Sequence, residues 1–347
     1  MKDINFLYSE LKSMSSSELK VLSSKIIELL KSTSNTHADV EISCCRRCES
    51  HDIVKFGKDK NGKQRYKCKA CNTIFNLDSY SAFSKTHYDI STWEKYIDLL
   101  LKGGTLAECA TSCGISVQTA FTWRHKILNT LQKDQANRLL GGIVETDELY
   151  LSISYKGNHK KSKNFTMPRD SYERGTDNRE QIGSRACVMC AIERNGQYYG
   201  EVLGKGQPTI AALSYAFDQR ILPDTIVLSD KSTGLKNYFN NRESIQLVRL
   251  MAHVKPKSMN SPPEVRGAFH IQNVNNVHSR IRKFLYKYNG VATKYLNHYI
   301  SLFIWIENHK NIPDVDLSQR AIEAISTNDS YISYDDLVAM PPIPNVA

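Results

Sequence analysis

Two acids stand out by their positions. Asp147 lies in the middle of a β-type run, Ile143 to Ile153, and Asp230 directly follows a second run, Thr225 to Ser229. In a strand, alternation puts Glu145 and Leu149 on the face of Asp147 and turns Thr146, Glu148 and Tyr150 to the other. A carboxylate just past the end of a core strand lies where α/β sheets place ligands. Two acids on adjacent central strands could bind Mg2+ through oxygen. The plainer role for Asp230 is that of N-cap to the stretch KSTGLKNYF behind it.

A third oxygen ligand on a later helix would complete such a site, yet there is no Asp or Glu from Val265 to Ile306. A helix expected from about His270 to Tyr288 has Ile271, Val274, Val277, Ile281 and Phe284 as its buried stripe. That leaves Asn275 and Arg282, two turns apart, on another common face. Asn275 could give a carbonyl oxygen to a hard cation and Arg282 could hold a phosphate beside it. Alternatively, Asn273, Asn275 and Asn276 are polar surface.

Cysteine spacing points to a second kind of site. Cys45-x2-Cys48 and Cys68-x2-Cys71 enclose nineteen residues, the spacing of a four-thiolate zinc ribbon with a hairpin tip at Asp59–Gly62. Cys44 could replace Cys45, but the Cys-x2-Cys pair has the better geometry. From 44 to 71 there are nine Lys or Arg against three acids, which suits either DNA phosphate or a solvated structural knob. Cys109, Cys113, Cys187 and Cys190 read as small buried hydrophobes.

Further along, Ala110, Gly114, Ile115 and Ser116 stand where a helix-turn-helix needs a small contact residue, a turn glycine, an apolar plug and an N-cap. Its second helix would offer Gln118, Thr119, Thr122 and Arg124 to a major groove, with Val117, Ala120, Phe121 and Ile127 facing the core. A plain helical hairpin is the alternative.

The elements that position these residues follow from the rest of the chain. Its 347 residues carry 46 Lys plus Arg against 36 Asp plus Glu, a formal charge of +10, which favours a polyanionic partner such as double-stranded DNA. The longest apolar run, Tyr299 to Ile306, is too short to span a membrane. No secretory signal is legible, and nine cysteines, an odd number, suit metal ligation in a reducing, cytoplasmic setting. The expected organisation is a helical segment at 1–36, a ribbon at 40–78, a helix-turn-helix domain at 88–135, an α/β core at 141–312 and a tail at 313–347. A polar insertion at 155–185 interrupts the core between its first two strands; over 156–185 it has eight Lys or Arg and four acids, with Lys160, Lys161 and Lys163 suited to holding a DNA strand.

In this order of motifs the chain resembles bacterial insertion-sequence transposases of the IS1595 family, whose catalytic domain is ISXO2-like. The resemblance is carried by the ribbon, the helix-turn-helix, VETDELY (144–150), KGNHKKSKNFTMPR (156–169), LSD (228–230) and FHIQNVNNVHSRIRKFLYKYNGVATKYLNHYISLFIW (269–305). It covers roughly residues 40–310 and implies a multidomain α/β protein with a ribonuclease-H-like catalytic core behind the zinc ribbon and helix-turn-helix. It also implies a DDE-type metal triad: Asp147 and Asp230 match the two acids, and Asn275 stands where many relatives have Glu, an Asp-Asp-Asn form. Arg282 stands where Lys is common, and Arg keeps the charge without the compact ammonium.

What the resemblance implies is binding to terminal inverted repeats, then metal-dependent DNA cleavage and strand transfer. Structural zinc, two catalytic Mg2+ or Mn2+ ions, transposon-end and target DNA, a homo-oligomer on DNA and a nucleoid-associated location go with it. A former transposase kept as a sequence-specific DNA-binding regulator is the alternative.

Overall fold

The computed structural model describes residues 42–156, 183–250 and 269–346, apart from single positions and short runs within those spans, together with Ser15. The helices expected before residue 36, and Lys160, Lys161 and Lys163 of the insertion, lie outside the described residues. The chain divides into two compact units, Met1–Leu77 and Asp78–Ala347.

In the first unit, strands β1 (Ile53–Lys58), β2 (Gln64–Cys68) and β3 (Ile74–Phe75) form an antiparallel sheet in that order. Pairing slips between Lys55 and Lys58, where Gly57 has φ +67°, a conformation open to glycine without strain. Phe75 is buried against Tyr66, whereas Val54 and Phe56 are exposed. The sheet therefore buries little apolar surface of its own.

The second unit begins with three helices: α1 (Ile90–Leu101), α2 (Leu106–Cys113) and α3 (Val117–Asp134). Thr105 and Glu108 form a reciprocal capping box at the start of α2. Gly114, left-handed at φ 65°, ends α2, and Ser116 caps α3 through the Thr119 amide. Ile115 plugs the turn and Ala120 is buried, as the spacing predicts, but Val117 is 54% exposed. It precedes the first full turn of α3, where a side chain reaches past the helix contact.

The core sheet comprises β4 (Ile143–Ser152), β5 (Arg185–Glu193), β6 (Tyr198–Lys205), β7 (Thr225–Ser229) and β8 (Ile245–Arg249), in the order β6-β5-β4-β7-β8. Only β5 runs against the rest. Helices α4 (Ile210–Phe217) and α5 (Thr233–Phe239) bury Leu213, Phe217, Leu235 and Phe239 against one face with Val144, Met189 and Val227. Against the other face lie α6 (Gln272–Tyr286) and α7 (Leu296–His309), through Val274, Ile281, Ile300 and Ile304.

α7 is buried nearly all round because it lies between two layers. Ile300, Phe303 and Ile304 face the sheet, while Tyr299, Leu302 and Trp305 join the cluster built by α1–α3. A Cβ on Gly200 of β6 would come within 3.1 Å of Ile300 and Ile304, so the bare backbone lets helix and strand approach. Polar side chains of α7 cover the β6 edge: Asn297 accepts from the Val202 amide (3.1 Å) and Asn308 from the Tyr198 amide (2.7 Å). α8 (Leu317–Thr327) and α9 (Tyr334–Ala339) follow, with Ala321 and Ile325 of α8 in the α1–α3 cluster. The segment expected as a tail is thus folded, and the helices expected as a domain of their own share a core with α7. Among the described residues no helix is long and apolar enough to cross a membrane.

Trp93 is fully buried and stacked on Trp123 at 3.8 Å. Trp93→Ala should lower the unfolding free energy of the second unit by about 3–5 kcal/mol in urea denaturation. Tyr286→Ala, at a position 84% exposed, should stay within about 0.5 kcal/mol of the parent.

Candidate active site

The two Cys-x2-Cys turns repeat one geometry. Cys45 N–H donates to Ser50 O (2.8 Å) and Cys68 N–H to Thr73 O (3.0 Å), and each turn ends in a left-handed residue, Glu49 or Asn72, both at φ 58°. The four sulfurs converge: Cys45–Cys71 and Cys48–Cys68 are each 3.6 Å apart. Thiolates around a tetrahedral zinc with Zn–S of about 2.3 Å lie about 3.8 Å apart, so the donor set fits that ion. Cys44 is outside the cluster, which settles the choice in favour of Cys45. Hydrogen bonding with Thr73 lowers the Cys71 thiol to about 6. Removing the ion, or Cys68→Ser, should expose residues 42–76 to protease while leaving the melting of the second unit unchanged; metal analysis should find one zinc per chain, lost in the variant.

The carboxylate site rests on sheet register. β4 and β7 run parallel with Thr146 opposite Ser229, so the next residues, Asp147 and Asp230, stand side by side. Asp230 is not the cap of α5. Its Oδ1 accepts from the Ser232 amide (2.8 Å), and Ser232 caps the helix through the Leu235 amide. Ser232 Oγ also donates to Glu148 Oε1 (3.0 Å), drawing Glu148 toward Asp230. Carboxylate oxygens of Asp147, Glu148 and Asp230 all lie within 4.8 Å of one another. Strand alternation had sent Glu148 away; a long side chain near the end of a parallel pair turns back toward its neighbour.

Two of the clustered acids, Asp147 and Glu148, resist ionisation. Burial first, then Asp230 and Glu148, raises Asp147 from its ordinary 3.8 to about 7. Burial and Asp230 likewise raise Glu148. Crowded oxygens whose repulsion is unrelieved are a donor set suited to a hard divalent cation.

α6 approaches from the sheet's other side and has no side-chain cap of its own. Fully buried Glu145, two residues before Asp147, supplies one across the interface: it accepts from the Asn273 amide (2.9 Å), Asn273 Nδ2 (2.8 Å) and the Val274 amide (3.3 Å). A carboxylate at a helix N-terminus also meets the positive end of the dipole. So fixed, α6 brings buried His278 to Asp147, Nδ1 to Oδ2 3.8 Å, while its Nε2 has no hydrogen-bond partner. Burial, then Arg282, lowers His278 to about 4. Asn275 is exposed one turn before His278, and Arg282 one turn after it.

Sequence reading thus found Asp147 and Asp230 but missed Glu148, His278 and the capping role of Glu145. His278 was legible as the residue between Asn275 and Arg282 at i+3 and i−4. Of the groove-facing set, Gln118 is exposed and Thr119 and Thr122 are half-buried. Arg124 departs from expectation: it is 1% exposed, and its Nη2 donates to Gly104 O (2.7 Å). Its position eight residues into α3 turns it inward among aromatic rings. Cys109, Cys187 and Cys190 are buried as expected; Cys113 is half-buried.

Part of the chain matches a known family. Residues 139–308 match the ISXO2-like transposase domain. This segment is thus a transposase domain of the IS1595 family. The chain is also 20% identical over 263 residues, 75% of its length and 83% of the relative's, to an uncharacterized protein in transposable element ISH50 of Halobacterium salinarum. Among solved structures it is similar to the Mos1 strand transfer complex (14% identity, 72% of this chain and 80% of that one, TM-score 0.21) and to a pre-cleavage Mos1 transpososome (14%, 72% and 80%, TM-score 0.18).

Asp147 gives a pH signature. Its folded pKa is raised, so its contribution to stability is complete below about pH 4 and is lost as pH rises to about 7. His278 is depressed and acts oppositely, losing stability as pH falls from about 6.5 to about 4. Comparing the metal-free parent with Asp147→Asn isolates the first effect. The variant should gain in melting temperature over the parent between pH 5 and 7.5, and added Mg2+ should narrow the gap; a gap independent of pH would refute the clustering.

Proposed function

We propose that this protein is the transposase of an insertion sequence, binding the terminal inverted repeats of its element and catalysing metal-dependent cleavage and strand transfer of DNA. The observation that carries this reading is the convergence of Asp147, Glu148 and Asp230 within the ISXO2-like domain. The sheet order, with only its second strand reversed, supports a ribonuclease-H-like core.

Asp147 and Asp230 would hold divalent ions, with Glu148 or Asn275 as the third oxygen ligand. Such ions, two of them, would activate water and then a DNA 3′-hydroxyl for in-line attack on phosphorus and stabilise the departing oxygen. Glu145 holds α6 so that its exposed face lies along the acids, and Arg282 on that face meets the phosphate. Neutral His278 packs against Asp147 and keeps water from its far side.

α2 and α3 act as the helix-turn-helix: Gln118, Thr119 and Thr122 read bases, and the insertion lysines 160, 161 and 163 hold a strand. The zinc-bearing ribbon adds phosphate contacts, and concerted action at two ends calls for a homo-oligomer on DNA.

The test uses the full chain, Mg2+ and duplex DNA carrying the element's own ends. Asp147→Asn and Asp230→Asn should each reduce cleavage by more than a thousandfold while duplex binding persists. Glu148→Gln and Asn275→Ala separate the two candidates for the third ligand. Cleavage that survives Asp147→Asn would sink the catalytic assignment, and specific binding without cleavage by the parent chain would establish the regulator instead.

A further inference from the structure

Apart from the carboxylates, the second unit contains a cavity of about 570 Å³ between the α2–α3 pair and the segment joining α6 to α7. That size is within the range of small-molecule sites, about 300–1,000 Å³. Its lining has a distinct composition: three cations, Arg124, Lys156 and Lys294, five aromatic rings and no carboxylate.

The rings form a connected group. Tyr295 lies 5.5 Å from Phe121 and 4.3 Å from His125, and Tyr288 lies 4.8 Å from Tyr299. The cations are fixed around them. Lys156 Nζ donates to the carbonyls of Asn289 (2.9 Å) and Gly290 (3.0 Å), the Arg124 guanidinium lies 5.4 Å from the Tyr288 ring centre, and Lys294 Nζ lies 4.8 Å from that of Tyr295.

Two buried lining residues keep unsatisfied polar atoms: Arg124 (1% exposed) at Nε and Tyr288 (8% exposed) at Oη. A buried polar atom without a partner costs free energy that a bound ligand can return. The first turn of α2, from Thr105 to Ala107, also borders the space, its own N-terminus already closed by the Thr105–Glu108 capping box. Burial lowers Lys294 below its ordinary value, and the lining offers it no carboxylate. Fixed cations and flat rings, with no acid in the lining, are the chemistry that recognises a nucleotide.

We propose that this cavity receives a single unpaired nucleotide, its base against Phe121 and Tyr295 and its phosphate against Lys294 and Lys156. The source is a nucleotide turned out of a bound DNA strand. This rests on the DNA-acting reading above, since α3, which would meet the duplex, also supplies Gln118, Phe121 and Arg124 to the lining.

Fluorescence anisotropy on the full chain tests it with three probes: a labelled hexathymidine, a labelled fully paired duplex of the element's end, and unlabelled dTMP as competitor. Lys294→Gln removes a charge, and Ala107→Phe, at an exposed position on α2, fills the mouth without disturbing a core. Each should weaken hexathymidine binding about tenfold or more while duplex binding changes less than threefold and the melting temperature is unchanged. Asp147→Asn should alter neither binding. Hexathymidine binding that both variants leave intact, with duplex binding normal, overturns the nucleotide site and leaves the transposase reading standing. Failure of the parent chain to bind or cleave any DNA overturns that reading and the proposal with it. Competition by dTMP at concentrations that match hexathymidine would identify a free nucleotide as the ligand and overturn the strand origin.

Discussion

Burial of clustered carboxylates, with their mutual repulsion added, is the constraint to which the second unit is built. Raising Asp147 from 3.8 to about 7 corresponds to about 4 kcal/mol at neutral pH, at about 1.4 kcal/mol per pKa unit. A domain is stable by only about 5–15 kcal/mol in all. Such a cluster persists because its acids stand on paired strands. The β4–β7 register fixes two of them, and Ser232, already committed to capping α5, holds the third. Relaxing the repulsion would mean breaking a parallel ladder with apolar layers on both sides.

The same economy of position governs α6. Glu145 and Asp147 are two residues apart on one strand, one a buried acid satisfied by backbone amides of α6, the other an acid poorly satisfied beside His278 of that helix. The first sets where the helix begins, and the rise of an α-helix then sets where His278 and Arg282 fall. α7 continues this outward. Its sheet face packs under β5 and β6, its other face under α1–α3, so displacement of the helical layer would be felt at the sheet.

Much of this was legible from sequence. Strand period and apolar content located β4 to β7 nearly to the residue, because core strands carry few polar residues, and the cysteine spacing located the ribbon. β8 escaped notice because Ile245–Arg249 alternates over only five residues between polar flanks. Long-range geometry was hidden for a general reason. The approach of Glu148 to Asp230 depends on a parallel register between strands about eighty residues apart, and the inward turn of Arg124 depends on the rings of Tyr288, just past α6, and Tyr299 of α7. Neither is a property of a local period. Burial also overrode composition, since an arginine on a helix of a basic chain reads as a DNA contact until its surroundings are known.

The two metal-binding sets relate differently to folding. In the first unit Cys45, Cys68 and Phe75 are the buried hydrophobic residues among those described, and the two cysteine turns are held mainly by their own backbone bonds. With so little apolar surface removed from water, ligation supplies most of what orders the ribbon, and its ion acts as a core. The carboxylates sit on a sheet with apolar clusters on both faces, so a cation there relieves repulsion in a framework that stands without it. The donor types follow the same division: thiolates suit zinc held in a closed shell, whereas carboxylate oxygens suit a hard cation that keeps positions open to water.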